Sequence, residues 1–265
     1  MPGRPHQLVG RNNQDAAFTL RLPDGGFVAV VCDGCSGSPR SEVGAIAGAR
    51  MVAYAVASEA EGGRVHDDGA WTVAVTLAVR HRLLAMAEML APPGLHGFAV
   101  VESLLFTVVG AIASGGVLRT FSCGDGLLAV NGETLRLKPQ AGNEPPYLAY
   151  GVLKNRPTSI PDDLLTIRTH HRRLVDDVAT LIVGTDGAGD LADAADRFIP
   201  GTTERIGPLH QLLERPAVFE NQDGLRRWLA RIGRDKVVSA NGAHRVEPGL
   251  LRDDTTLVLA RKVAP

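Results

Sequence analysis

Aromatic residues make up only 5% of this 265-residue chain, and cysteine occurs just three times. So thin a supply of rings argues against a base-stacking platform for nucleic acid. An excess of charge is missing too. The formal net charge is −1, with no long run of either sign, so no broad basic surface is expected. No window approaches the roughly 18 consecutive apolar residues of a membrane span. The opening stretch MPGRPHQLVGRNNQDA has no apolar signal-peptide core. A cytoplasmic protein is therefore expected, without membrane or nucleic acid among its partners. Three sparse cysteines (Cys32, Cys35 and Cys123) do not make a disulfide framework. Cys32 and Cys35 do form a C-x-x-C. Yet Asp33-Gly34 fills the place where a thioredoxin-like helix would open, and no second ligand pair exists for structural zinc. Neither a Walker A sequence nor a G-x-G-x-x-G opening a helix after the first strand is present.

What is present is enough apolar material for a sizeable core, 45% of the chain. Residues 16–22 and 27–32 read as strands joined by a PDGG turn. Two long Ala- and Val-rich helices are expected, over residues 41–60 and 70–90, the second ended by APPG. From about residue 103 the period changes to short β-type runs, LLFTVVGAI, VLRTFSC, GLLAVNG and ETLRLK, as in an antiparallel meander. Residues 139–162 are rich in Pro, Gly and Asn and read as loop. Strands return at LLTIRTH and ATLIVGT. A helix over 224–233 places Leu225, Trp228, Leu229 and Ile232 on one apolar face, and a last strand covers 255–261. Length alone does not choose between one domain and two, but no linker divides the chain. This order suggests antiparallel sheet layers covered by helices.

Four aspartates sit where apolar strands begin or end. Asp33 follows FVAVVC, in register with Phe27, Ala29 and Val31. Asp186 follows LIVGT, Asp125 follows TFSCG, and Asp254 precedes TTLVLA. If these ends converge, the carboxylates repel one another and their pKa values rise unless cations lie between them. Hard divalent ions with oxygen ligands, Mg²⁺ or Mn²⁺, answer that need. The glycines beside them (Gly34, Gly126 and Gly187) let backbone approach an ion. Taken singly, each Asp-Gly is equally a turn dipeptide.

The segments NNQDA (12–16), VCDGCSGSPRSEVGA (31–45), SCGDG (122–126), GTDGAGDL (184–191) and LRDDTTLVL (251–259) stand in the order of one family. Together they resemble the metal-dependent, type 2C (PPM) serine/threonine protein phosphatases, and most closely a bacterial subgroup with NQDA and a DGxGS-like loop. The resemblance implies an α+β fold, a four-layer α-β-β-α sandwich with two central antiparallel sheets. Residues 1–265 would form one catalytic domain, with a shortened flap around 139–165 that leaves the cleft open. Asp33 would bridge two Mn²⁺ or Mg²⁺ ions, and the Gly34 carbonyl would bind one of them. Asp186 and Asp254 would complete the second-metal side, leaving Asp253 on solvent or a backbone donor. Asp125, with Asp186, would hold a third ion, and Asp15 would hold metal-bound waters. Arg11, against Arg4, would bind the substrate phosphate. Cys35 stands where many relatives have His, so the leaving-group acid is unassigned, with His6 a candidate. Gln14 replaces a common Glu and removes one charge. The implied activity is hydrolysis of phosphoserine and phosphothreonine in proteins, opposing a serine/threonine kinase, by attack of a metal-activated water. The alternatives are a catalytically weak regulator that binds phosphoproteins and a phosphoesterase of small molecules.

Overall fold

A computed structural model describes residues 1–263, apart from 67–68, 141–143, 157–158 and 241–242. Its helices are α1 (Arg4–Val9), α2 (Ser41–Glu61), α3 (Ala70–Leu90), α4 (His96–Ser103), α5 (Asp186–Asp193), α6 (Pro216–Glu220) and α7 (Gly224–Gly233). Its strands are β1 (Ala16–Arg21), β2 (Phe27–Cys32), β3 (Val108–Ser114), β4 (Val117–Cys123), β5 (Gly126–Val130), β6 (Glu133–Leu137), β7 (Arg168–Leu174), β8 (Thr180–Gly184), β9 (Lys236–Ala240), β10 (Ala243–Glu247) and β11 (Leu257–Arg261). Five strands form one antiparallel sheet in the order β1-β2-β3-β4-β7. Four form a second, β11-β8-β5-β6, and β9 with β10 make a separate hairpin.

Alternation along β2 explains the layering. Val28, Val30 and Cys32 enter the core beneath α2 and α3, together with Val52, Val56, Val75 and Val79. Val31 points the other way, into a second core with Val109 and Ala111 of its own sheet and Leu128 and Val183 of the other. A third core lies beneath the second sheet, where Leu127 and Ile182 meet Leu191, Leu212, Trp228 and Ile232. These three cores separate four layers, helix, sheet, sheet, helix, as expected. Each fully buried Val or Leu contributes about 1.5–3 kcal/mol. Small residues let α2 lie close to the sheet: a Cβ on Gly48 would meet the Phe106 ring at 2.3 Å.

Both long helices run as expected, and Trp228, Leu229 and Ile232 of α7 are buried. Two expectations shift. The strand anticipated over 164–170 begins only at Arg168. Leu165 and Ile167 fill the helix-side core instead, and the ladder starts where β4 offers partners. Residues 139–162 are not an open loop. A short 3-10 helix, Leu148–Val152, packs here, and Tyr147, Leu148, Tyr150 and Ile160 are buried in the same core. Arg80 of α3 donates to the Leu165 carbonyl at 2.9 Å.

Asp24, in the turn between β1 and β2, ties two hairpins together. Its carboxylate accepts from Gly26 N (2.9 Å), Ser114 Oγ (2.7 Å) and Gly115 N (2.9 Å). These donors, Gly115 first, hold its pKa below the ordinary value. A depressed carboxylate pKa stabilises the fold above the unfolded-state value and loses that contribution as pH falls through the folded-state value. Asp24→Asn is therefore expected to cost about 1 kcal/mol at pH 7, modest because the site is exposed. The difference should shrink in unfolding curves as the pH falls through and below the ordinary aspartate range.

Candidate metal centre

Strand register gathers the acids. Ala16 faces Cys32 across β1 and β2, so Asp15 and Asp33, one step further along, face each other at the same end. Gly184 lies opposite both Leu127 and Leu257. Asp125, Asp186 and the pair 253–254 therefore leave the second sheet at its matching end. Asp125 stands on the two-residue link that carries the chain from β4 to β5. Asp186 opens α5, whose start presses against the last acidic segment. A Cβ on Gly187 would meet the Asp254 carbonyl at 2.1 Å, so only glycine fits there.

The electrostatics name the members of the cluster. Asp15 and Asp33 share a hydrogen bond, and both pKa values are raised, first by burial. The charges of Asp15, Asp186 and Asp253 raise Asp33 further. Asp186 is pushed up to about 7 by burial and then by Asp253, Asp125 and Asp15. Asp125 rises to about 6, through burial and Asp253. Five carboxylates thus repel across one small volume. Thr185 Oγ1 donates to one oxygen of Asp15 at 2.7 Å. The Oδ1 atoms of Asp15, Asp125 and Asp186 are buried without a hydrogen-bond partner. Buried carboxylate oxygens without partners are the kind of donor that divalent cations take. Among the described residues, no three His, Cys, Asp or Glu side chains stand in ready-made gripping geometry. The fit to a metal rests on the orphaned oxygens and the repulsion.

Asp254, the expected ligand, sits differently. It is buried, and its Oδ1 accepts from Gly3 N (2.7 Å) and meets His6 Nδ1 (2.8 Å). Its Oδ2 accepts from Gln14 N at 2.5 Å. Met1 pairs with Thr255 through two 2.8 Å hydrogen bonds, and Arg4 N donates to the Leu251 carbonyl. Asp254 is thus spent on fastening residues 1–14 to the last strand. The charge of the neighbouring Asp253 acts on Asp33, Asp125 and Asp186, whereas that of Asp254 acts on Asp15.

The remaining candidates surround this cluster. Arg11 donates to the Ser36 and Ser38 carbonyls at 3.3 and 2.9 Å, bracing the small-residue loop behind Asp33. Arg4 instead pairs with Asp235. Gln14 Nε2 binds Ser41 Oγ and the Ser38 carbonyl. Gly34 continues the sheet as a single bridge to Phe106. Cys32, Cys35 and Cys123 are free thiols. Burial raises the Cys32 thiol pKa and pushes that of Cys123 up to about 12, so neither is a ready nucleophile. Two neighbours escaped the sequence reading. Tyr147 hydrogen-bonds Cys35 and lies within range of Asp33 and Asp125, and Thr185 steadies Asp15. The LIVGT run leading to Asp186 holds Thr185 in view, whereas nothing near PPY signals Tyr147.

A family profile described as protein phosphatase 2C matches residues 2–231. No curated protein sequence matches the chain. Among solved structures, a bacterial serine phosphatase is similar at TM-score 0.53 and 14% identity, over 95% of this chain and 92% of that one. The serine/threonine phosphatase Stp1 from Staphylococcus aureus is similar at TM-score 0.50 and 14% identity, over 96% and 91%. The photosystem II phosphatase PBCP is similar at TM-score 0.52 and 17% identity, over 99% and 96%. At such identities the likeness speaks for the fold.

Proposed function

Because the chain belongs to the protein phosphatase 2C family, we propose that it is a metal-dependent phosphoserine/phosphothreonine protein phosphatase. Residues 1–265 serve as one catalytic domain with a trimmed flap over 139–165. Asp33, Asp125, Asp186 and Asp253, with the Gly34 carbonyl, hold two Mn²⁺ or Mg²⁺ ions, and Asp125 with Asp186 offers a third place. When bound, these ions supply the positive charge that phosphoryl transfer to water requires. The chain's own residues do the positioning. Thr185 fixes Asp15, and Asp15 holds Asp33 at the mouth of β2. Arg11 braces the 36–38 loop with two donors and turns its remaining N–H groups to the substrate phosphate. Asp254 fixes the His6 proton on Nδ1 and keeps the N-terminal segment against the site. No covalent phosphoenzyme is needed, which accords with thiols kept protonated by burial. The substrate is a phosphoprotein, the opposing enzyme a serine/threonine kinase, and the setting cytoplasmic. Among the described residues no helix is long and apolar enough to cross a membrane.

One observation carries this reading: three buried carboxylate oxygens without partners, inside a cluster of five repelling acids. Turnover of an aryl phosphate in Mn²⁺, in Mg²⁺ and in chelator tests it. Activity in either ion, lost in chelator, is expected. Equal rates in chelator, or none in any condition, would sink the proposal.

A further inference from the structure

We propose that β7 is a docking edge for an acidic, extended segment of the phosphoprotein substrate, which joins the five-stranded sheet as a sixth strand. The word substrate rests on the phosphatase reading; the docking itself does not. β7 pairs with β4 on one side only and is the last strand of its sheet. Such an edge presents backbone donors and acceptors that an incoming strand can satisfy. Its sequence, RTHHRRL, holds three arginines and two histidines and no acid, in a chain of net charge −1. Six of its seven residues are exposed.

Register and position favour an acidic guest. A bulge opposite residues 119–121 shifts the ladder, so Arg168 pairs with Ser122 and Arg173 with Leu118. Ser122 and Leu118 share a face of β4, which puts Arg168 and Arg173 on one side of the sheet and Arg172 on the other. A guest strand with acids on both faces is thereby matched. The Arg168 end lies nearest the acid cluster, since β4 runs on from Ser122 to Asp125. A segment docked along β7 would thus lead toward the metal centre. The arginines' present acidic partners are exposed and loosely held, Asp163 at 3.4 Å from Arg168 and Glu133 at 3.8 Å from Arg173, although Arg168 also donates to the Asp163 carbonyl at 2.8 Å. A second copy of this strand would set arginine against arginine, which is destabilising. The charges that repel a basic edge therefore select an acidic one.

The test uses the whole protein and a fluorescent ten-residue peptide built on a Glu-Glu-Val-Val repeat, which puts acids on both faces of an extended strand, without phosphate, read by anisotropy at low ionic strength. Saturable binding is expected. It should weaken by about tenfold or more in the double variant Arg172→Glu/Arg173→Glu and in 0.5 M salt. Backbone N-methylation of alternate peptide residues should abolish it. Thermal unfolding of the double variant should match wild type, which shows that the variant is folded. The proposal is overturned by an absence of saturable binding, by unchanged affinity in the variant, or by equal binding of the N-methylated peptide. A polyanion such as an oligonucleotide displacing the peptide while N-methylation has no effect would mark simple charge attraction and overturn it too. Because the peptide carries no phosphate, the phosphatase reading can fail while this one stands.

Discussion

Replacing Asp33 by Asn is expected to raise the melting temperature of the metal-free protein while removing its response to Mn²⁺. In the folded chain Asp33 hydrogen-bonds Asp15, and the charges of Asp15, Asp186 and Asp253 act on it. Taking one ionisable group out of this cluster relieves repulsion, which stabilises the fold by something on the order of 1 kcal/mol. The same change deletes the carboxylate proposed to bridge the ions. Replacing residues that merely support ligands typically costs 10–100-fold in metal affinity or activity, so loss of the bridge should exceed about 100-fold. Thermal unfolding with and without Mn²⁺, beside turnover of an aryl phosphate, checks both halves. A variant that still gains stability from Mn²⁺ as the wild type does would show that Asp33 is not a ligand.

The two aspartates before β11 should separate cleanly. Asp254→Ala leaves Gly3 N, Gln14 N and His6 facing a buried gap. Orphaning buried partners of a charged group costs about 3 kcal/mol or more. In a chain of this size that corresponds to a melting temperature lower by roughly 6–10 °C. Asp253→Ala is expected to behave in the opposite way. The residue is exposed, and its carboxylate accepts from Asp254 N at 2.7 Å. Its loss removes that bond but also one repelling charge, so stability should change by less than about 1 kcal/mol, whereas Mn²⁺ affinity and turnover should fall steeply. Parallel unfolding curves and Mn²⁺ titrations of the two variants decide it. Equal metal loss in both would return Asp254 to the ligand set.

That pair also shows where sequence reading stopped. Alternation places neighbours on opposite faces, but it cannot say which face is which until a partner strand is known. β11 itself begins only at Leu257, so the strand's parity does not reach back to Asp253 and Asp254. What turned Asp254 inward is a partner 240 to 251 residues away, the segment carrying Gly3 and Gln14. Long-range pairing of that kind leaves no local signature. The two long helices, the hairpin over 16–32 and the meander were legible because period and turn chemistry are local signals. Asp33, Asp125 and Asp186 stood out because each lies just beyond a β-type run, and the pattern recurs along the chain. Tyr147 was not, because its approach to Cys35 depends on a Pro-rich segment folding onto α3.

The stitching of Met1–Arg4 to residues 251–255 bears on how the molecule comes into being. An emerging chain makes Asp15, Asp33 and their hairpin within its first few dozen residues. It must then hold those acids without the partners of Gly3, His6 and Gln14 until some 250 residues have followed. Contacts so distant in sequence form late and slow the final step of folding. A nascent or truncated chain that stops short of Asp254 cannot anchor its own beginning, however well its first sheet has formed. The acid cluster thus closes only when residues 251–255 arrive.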